Sequence, residues 1–348
     1  DFTLMKKYIL TSILSISTLL LQGQDIHFSQ YFSSPLTLNP ANTGNFNGNI
    51  RLVANYRSQW GSFTVPYQTF SGSADFAMLK GKLNGDFFGL GILFYHDIAG
   101  DSRLGTLNSA LSLAYHKTLG DKMLMSVGAQ VGFMQNRIDY TDLVFDNEYF
   151  FGDGNTGENF TSDNFLNLDV NAGINWYYAP SQRVRFHAGG ALFHLNTLKF
   201  SFIGSDTEDL YIKYSVNGGA EFGVTDRISL LPSAMYLRQG PSSELDIGTY
   251  LKFSLAGDAN TSDYDEIALY AGTWVRMSEP ALDAIIPNLR IDVKSLSFRM
   301  SYDFTVSKKL RTTAATGSMG GPELAIIYIA KTTTTTRQKS SAIECPQF

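Results

Sequence analysis

The sequence predicts an all-β protein, specifically a transmembrane antiparallel β-barrel of about 14 strands with an N-terminal periplasmic lead-in segment. Three observations predict it. Segments of about ten residues alternate apolar with polar or small side chains along the whole chain, as strands between lipid and water do. After residue 25, no apolar run approaches the roughly 20 residues of a membrane-spanning helix. The first residues also resemble an export signal.

The composition is typical of a β-rich chain and excludes several classes of protein. The 348 residues carry a net charge of −5, which argues against a basic nucleic-acid-binding protein. The 25 Phe, 18 Tyr and 31 Gly are many for a chain with 17% charged residues, and strands and turns favour these residue types. Cys345 is the only cysteine in the sequence, which excludes a disulfide framework and a cysteine-ligated zinc site within it.

The amino-terminal residues predict a secretory signal peptide at 1–24, with an over-long start at residues 1–4. Lys6 and Lys7 precede an apolar run of about 14 residues, and Gly23 provides a small residue for cleavage near Gln24 and Asp25. The run is too short to span a bilayer as a helix. An uncleaved anchor or a buried N-terminal helix is the alternative.

Each strand is predicted from side chains that alternate between two faces with a period of two residues. In the first, Ile50, Leu52, Ala54, Tyr56 and Trp60 share one face, and the opposite face carries Arg51, Asn55, Arg57 and Gln59. The same pattern predicts a barrel over residues 49–330, with strands at 50–60, 67–79, 86–98, 103–119, 122–138, 164–178, 183–195, 209–224, 227–239, 243–257, 264–277, 285–293, 296–306 and 322–330.

The connections agree with an outer-membrane barrel, in which periplasmic turns are short and outer loops are long. Every second connection is tight, as at residues 120–121 and 294–295, whereas the loop at 139–163 is the longest. Two connections fit this rule less well: residues 258–263 are long for a periplasmic turn, and residues 240–242 are short for an outer loop. A soluble sandwich or propeller is the competing fold, but its strands usually span about five or six residues, and most of these are longer.

The segment before the first strand carries a distinctive motif. Phe28-Ser29-Gln30-Tyr31 is followed by Pro35-Leu36-Thr37-Leu38-Asn39-Pro40-Ala41 and Gly44, and later by Tyr56-Arg57-Ser58-Gln59-Trp60 and Pro66-Tyr67-Gln68-Thr69. These residues resemble the PorP/SprF family of Bacteroidetes outer-membrane proteins. The resemblance marks as candidates for partner or plug contacts Phe28, Ser29, Gln30, Tyr31, Pro35, Asn39, Pro40, Ala41, Gly44, Tyr56, Arg57, Gln59 and Trp60.

The resemblance implies a function in type IX protein secretion and, in gliding bacteria, in gliding motility. It implies a place in the cell outer membrane, surrounded by lipid. It also implies two kinds of partner: a large secreted adhesin-like protein, which is exported or attached to the surface, and periplasmic or outer-membrane secretion components. No nucleic acid, cofactor or metal is expected. The tail at 331–348, predicted to be periplasmic, departs from a last strand at the very C-terminus.

The lead-in segment at residues 25–48 has two possible arrangements. It either fills the barrel mouth as a plug, with Phe28, Tyr31, Phe32 and Leu36 against the inner wall, or lies in the periplasm as a strap on the first strand. A barrel of about 14 strands leaves room for a plug, because it lies between the filled eight-strand barrels and the 16–18-strand porins.

No catalytic motif occurs, so the chain is not expected to be an enzyme. His96 and His116 fall on neighbouring predicted strands, with Asp97 and Ser112 near them, which leaves a barrel hydrolase as a distant alternative. The loop at 139–163 is acidic and aromatic and has no Lys or Arg. A calcium site there is an alternative to a solvated surface loop that folds over the mouth or meets a partner.

Two functional classes remain open from the sequence. The first is a secretion-linked barrel, which should be plugged and should copurify with a large secreted protein. The second is a general diffusion porin or small-solute channel, which should conduct steadily without partners.

Overall fold

The structure is a computed structural model that describes residues 25–61, 65–100, 103–139, 163–200, 208–256, 267–278, 281–306 and 320–330. The predicted signal peptide at 1–24, the tail at 331–348 and nearly all of the loop at 139–163 lie outside the described residues. Among the described residues, no helix combines the length and the apolar character needed to cross a membrane.

Fourteen antiparallel strands form a closed barrel, which confirms the predicted fold. Its first strand, β1, pairs with both the second strand and the last strand, and so closes the wall. The barrel strands are β1 Ile50–Gln59, β2 Tyr67–Leu83, β3 Asp86–Ala99, β4 Leu104–Leu119, β5 Met123–Arg137, β6 Asn164–Ser181, β7 Val184–Phe193, β10 Lys213–Gly223, β11 Ile228–Gln239, β12 Ser242–Ala256, β13 Ile267–Ser278, β14 Ala281–Val293, β15 Leu296–Thr305 and β16 Gly321–Ala330. Two short strands, β8 Lys199–Phe200 and β9 Glu208–Asp209, pair with each other in the connection between β7 and β10.

Three strand boundaries differ from the prediction by four residues. Strand β2 continues past Leu79 to Leu83 and turns through Asn84 and Gly85, both of which have a positive φ, as a two-residue hairpin turn requires. Strand β14 begins four residues earlier than the predicted start at 285. Residues 208–209, which bound the start of the predicted eighth strand, instead pair outside the barrel in the β8–β9 hairpin.

The alternation of side chains matches the predicted faces. In β1, Arg51, Asn55 and Arg57 point into the lumen and are at most 5% exposed, whereas Leu52 and Tyr56 lie on the outer face and are 45% and 40% exposed. Strand β15 alternates in the same way over its whole length. An outer face of this kind suits lipid. Aromatic pairs lie near both ends of the wall, as interface girdles do, among them Trp60 with Tyr67, Trp176 with Tyr178, and Tyr302 with Phe304.

The two ends of the barrel differ in their connections. One end, which we call the short-turn end, carries the connections at 84–85, 120–122, 182–183, 224–227 and 294–295. The opposite end, the long-loop end, carries the connections at 138–163, 194–212 and 306–320, together with the short one at 240–241. The connection at 257–266 belongs to the short-turn end and lies outside the described residues.

The lead-in segment lies inside the barrel. It contains a 3-10 turn at Tyr31–Ser33, a short helix α1 at Pro35–Leu38 and a second 3-10 turn at Pro40–Asn42. Proline begins α1 and the second turn, where a missing N–H costs no hydrogen bond. The Asn39 side chain accepts a hydrogen bond from Ala41 N at 2.8 Å and so caps that turn. The segment then leads into β1 at the short-turn end.

Candidate functional site

The candidate site is the interface between the lead-in segment and the lumen wall. Side chains of the predicted motif are buried there: Phe28 is 3% exposed, and Ser29, Gln30, Asn39 and Ala41 have no exposed surface. Pro35, Pro40 and Gly44 are buried as well. The motif side chains in the lumen therefore contact the wall and not solvent.

A cluster near the long-loop end, which we call the Asp303 cluster, consists of Ser29, Arg57, Arg276 and Asp303. The Asp303 carboxylate accepts hydrogen bonds from Ser29 Oγ at 2.7 Å, Arg276 Nη1 at 2.8 Å and Arg57 Nη2 at 3.0 Å. Arg57 also donates to the His27 carbonyl at 2.6 Å. Three barrel strands, β1, β13 and β15, thus hold one turn of the lead-in through charge-assisted hydrogen bonds.

Glu323 attaches the same turn to the last strand, β16. Its two carboxylate oxygens accept the backbone N–H groups of Ser29 at 2.8 Å and Gln30 at 3.0 Å. The Gln30 side chain donates to Ser301 Oγ at 3.0 Å. Because β1 pairs with β16, this turn of the lead-in bonds to both sides of the seam that closes the barrel, through Arg57 of β1 at His27 and Glu323 of β16 at Ser29 and Gln30.

A second cluster lies toward the short-turn end. Arg51 makes a two-point ion pair with Asp75, with Nε to Oδ1 at 3.0 Å and Nη2 to Oδ2 at 2.7 Å. The same guanidinium donates to the Asn42 carbonyl at 3.0 Å, and Asp75 accepts Gly44 N at 2.7 Å. This ion pair therefore fixes the end of the lead-in to strands β1 and β2.

Amide side chains and wall glycines hold the middle of the segment. Asn39 Nδ2 donates to Asn175 Oδ1 and to the Ile174 carbonyl, each at 3.0 Å. A Cβ added at Gly128 would lie 2.5 Å from the Pro40 carbonyl group and from Ala41 N. The lead-in main chain thus approaches β5 so closely that only glycine fits the wall there.

Aromatic side chains fill the lumen beside β11–β13. Phe32 lies 5.0 Å from Trp274 and 5.4 Å from Tyr250 between ring centroids, and the Tyr31 hydroxyl hydrogen-bonds to Ser233 Oγ at 2.8 Å. Leu36 has no exposed surface. A cavity of about 60 Å³ remains between Tyr31, Phe32 and the wall.

Another group of charged residues surrounds Asp25, the first residue of the segment. This Asp25 cluster consists of Asp25, Asp169, His194 and Lys213. His194 Nε2 contacts the Asp25 carboxylate and Nδ1 contacts Asp169 Oδ1 at 2.8 Å, while Lys213 Nζ lies 3.0 Å from Asp25 Oδ2. Asp25 N donates to Gln239 Oε1 at 2.9 Å.

Charge pairing outweighs burial in the Asp25 cluster. Burial by itself lowers the pKa of His194, but the Asp25 and Asp169 carboxylates raise that pKa to about 9. Burial likewise raises the pKa of Asp25, yet His194 and Lys213 hold it well below its usual range. His27 differs, because burial lowers its pKa to about 4 and leaves the ring neutral beside Glu244 at 3.3 Å. The Asp25 cluster is therefore ionic at neutral pH.

The hydrolase alternative has no geometric support in the described residues. His116 points into the lumen, where its ring contacts the Thr43 carbonyl and Ser126 Oγ, each at 2.7 Å. It pairs across the sheet with Phe87, whereas His96 pairs with Leu107 and lies on the outer side, roughly 30 Å along the wall. The two histidines lie on neighbouring strands, as the sequence predicts, but they do not come together. No metal-binding cluster of His, Cys, Asp or Glu occurs in the parts of the chain that the structure describes.

Part of the predicted candidate set lies away from the lead-in. Tyr56 is on the outer face, and Trp60 follows β1 at the long-loop end and packs against Tyr67. Gln59 is half-buried at the end of β1. Of the candidates from the first strand, Arg57 is the one that bonds to the segment.

Sequence reasoning did not identify the wall residues that hold the lead-in, above all Asp75, Arg276, Asp303 and Glu323. The sequence does contain a signal that could have identified these four residues. Each is a charged residue on the lumen face of a strand, and its immediate neighbours point the other way. A charge buried in a barrel interior needs a partner, and the lead-in supplies many of the missing donors.

No curated protein sequence matches the chain significantly. Among solved structures it is similar to the toluene transporter TbuX of Ralstonia pickettii (12% identity, 85% of this chain, 92% of that chain, TM-score 0.45). It is also similar to the toluene transporter TodX of Pseudomonas putida (9% identity, 87% of this chain, 94% of that chain, TM-score 0.48). Neither similarity informs the function of this chain.

The sequence profile of the type IX secretion system membrane protein PorP/SprF matches residues 20–319. The match spans most of the chain and includes the lead-in segment and every barrel strand except β16. Family and fold are those of a membrane component of secretion and not of an enzyme class. The chain belongs to the PorP/SprF family of type IX secretion system membrane proteins.

Proposed function

We propose that this protein is a plugged outer-membrane barrel that takes part in the export or surface attachment of a large secreted adhesin-like protein. In this function the barrel does not conduct the secreted protein through its lumen. It binds the secreted protein and other secretion components at its two mouths. The partners that the family resemblance implies lie on those two sides of the outer membrane.

The observation that carries this proposal is the occupied lumen. The lead-in segment bonds to β1, β2, β6, β13, β15 and β16, so it contacts the wall on opposite sides of the barrel. Most of these bonds involve a charged wall group that is at most 5% exposed, and leaving such a buried group without its partner is strongly unfavourable. A segment held in this way closes the route that a passing solute would need.

The alternative function is a general diffusion porin or small-solute channel. A porin of this size would need a continuous water path past the lead-in. Three cavities between the lead-in and the described part of the wall measure about 60, 30 and 20 Å³, which is room for a few water molecules each. The packing of the segment thus favours the secretion-linked function over the porin.

The first experiment is a mild-detergent pull-down of the tagged protein from its native outer membrane, followed by mass spectrometry. We expect a large surface protein or secretion components to copurify. The purified protein is then tested in planar bilayers beside a variant that lacks residues 25–48 but keeps the signal peptide. We expect the full-length protein to be silent and the deletion variant to conduct.

The two assays separate the functions. Recovery of the barrel alone, together with steady conductance of the full-length protein, would overturn the proposal in favour of a porin. An Asp226→Ala variant serves as a control for the bilayer assay, because Asp226 forms an exposed ion pair with Arg183 at the short-turn end, away from the lead-in.

A further inference from the structure

We propose that the amino-terminal end of the lead-in segment, at Asp25, is exposed at the cell surface, so that anything joined to the chain before Asp25 is displayed outside the cell. This inference goes beyond the proposed function and does not depend on which protein is secreted. It follows from the direction in which the segment passes through the barrel.

The segment runs the length of the lumen from the long-loop end to the short-turn end. Asp25 contacts Lys213, the first residue of β10, and Gln239, the last residue of β11, both at the long-loop end. Further along, Ser29 bonds to Asp303 near the long-loop end of β15, and Gly44 bonds to Asp75.

The far end of the segment lies close to the short turns. Phe46 packs with Phe87 and Leu124, near the starts of β3 and β5. Asn49 then accepts a hydrogen bond from Ala77 N before β1 begins at Ile50. The lead-in therefore does not enter and leave by the same mouth. Its two ends lie at opposite ends of the barrel.

The connections give the orientation of the barrel in the membrane. Barrels of this kind keep short turns on the periplasmic side and long loops outside. The turns at 84–85, 182–183 and 294–295 lie at the end where Phe46 sits, and the connections at 138–163 and 306–320 lie at the end where Asp25 sits. By this rule, Asp25 faces the medium.

The Asp25 cluster fixes this end of the segment to the wall. The Asp25 side chain is 8% exposed because it is paired with His194 and Lys213. The residue as a whole is half-buried, so its remaining exposure comes from the main chain. The next two residues, Ile26 and His27, are also half-buried. A chain that continues before Asp25 thus starts from the long-loop end of the barrel.

The test is cysteine labelling on intact cells, in a Cys345→Ser background that removes the native cysteine. A Gly-Cys-Gly insertion between Gln24 and Asp25 reports on the amino-terminal end. The same insertion between Lys294 and Ser295 is the control at the short-turn end, and one between Gly240 and Pro241 is the control at the long-loop end. All three are exposed to a membrane-impermeant maleimide.

We expect the insertion before Asp25 to be labelled on intact cells as strongly as the Gly240 insertion, while the Lys294 insertion is labelled only after the outer membrane is permeabilised. Labelling before Asp25 that requires permeabilisation would overturn the proposal. If the insertion prevents barrel assembly, the same insertion between Asp25 and Ile26 gives the readout, because both residues are half-buried and the Asp25 carboxylate is kept. Failure of the pull-down described above leaves this result unchanged, so the two proposals fail separately.

Discussion

Gly128 is the position at which the plugged lumen can be tested most directly. It lies on the lumen face of β5, and an added Cβ would lie 2.5 Å from Pro40 C, Pro40 O and Ala41 N. Carbon atoms in contact sit about 3.5 Å or more apart, so Gly128→Ala requires a shift of about 1 Å. The atoms in the way are main chain, which cannot rotate aside as a side chain can.

Gly128→Ala should therefore lower the free energy of unfolding by about 3 kcal/mol, the upper end of the usual cost of overpacking. The lead-in cannot yield easily, because Asn39 holds it to β6 through hydrogen bonds at 3.0 Å. The assay is urea unfolding in detergent, with planar-bilayer recording to detect openings as the segment is displaced. The Gly128→Ala variant should unfold at a lower urea concentration than the wild type, and it should show channel openings in the bilayer recording.

The matched control is Gly72→Ala in β2. The same residue change is made in the same wall, but the nearest atom to the added Cβ is the Val53 carbonyl oxygen at 3.9 Å, an ordinary contact. If the two variants unfold at the same urea concentration and neither conducts, the close approach of residues 39–44 to the wall is incorrect and the plug argument fails with it.

Three further predictions concern single groups. Asp75→Ala should cost about 3–5 kcal/mol because it leaves a buried guanidinium unpaired, whereas Asp226→Ala, at an exposed pair, should cost less than about 1 kcal/mol in the same unfolding assay. The folded-state pKa of His194 is raised to about 9, so the stabilising effect of its charge is complete below about pH 6.5 and is lost as pH rises through 9; the stability difference between wild type and His194→Gln should shrink as pH rises through 9, and a constant difference would refute the ion pairing. Tyr31→Phe removes a hydrogen bond and should cost about 1 kcal/mol, whereas Tyr250→Phe removes a hydroxyl without a described partner and should be neutral or stabilising; equal losses would contradict this assignment.

The fold could be predicted because each strand of a membrane barrel alternates side chains that face lipid with side chains that face the lumen. Strand β15 shows this best, since every second side chain from Leu296 meets the outer face and the others meet the lumen. The pattern fails where the wall becomes irregular. Leu79 has a positive φ, and the pairing of β2 with β3 shifts between Met78 and Leu83. The alternation is interrupted there although the strand continues to the Asn84–Gly85 turn.

The lumen contacts could not be predicted with the same success, because they join residues far apart in the chain. Ser29 and Glu323 are separated by 294 positions, and no local pattern reports such a pair. The sequence shows a buried charge on one strand and a polar motif before the first strand. It does not show which charge meets which motif residue, since that depends on barrel closure. Plug and strap were therefore equally compatible with the motif alone.

The position of the motif limits what it can do. Ser29 and Gln30 have no exposed surface, and they form hydrogen bonds with Asp303, Glu323 and Ser301. A secreted partner that bound these groups would first have to break charge-assisted bonds on two strands, β15 and β16. Asp303 also pairs with Arg57 of β1 across the β1–β16 seam, so disturbing it would weaken barrel closure as well. The motif is accordingly a determinant of the barrel, and surfaces for partners are to be sought at the two mouths.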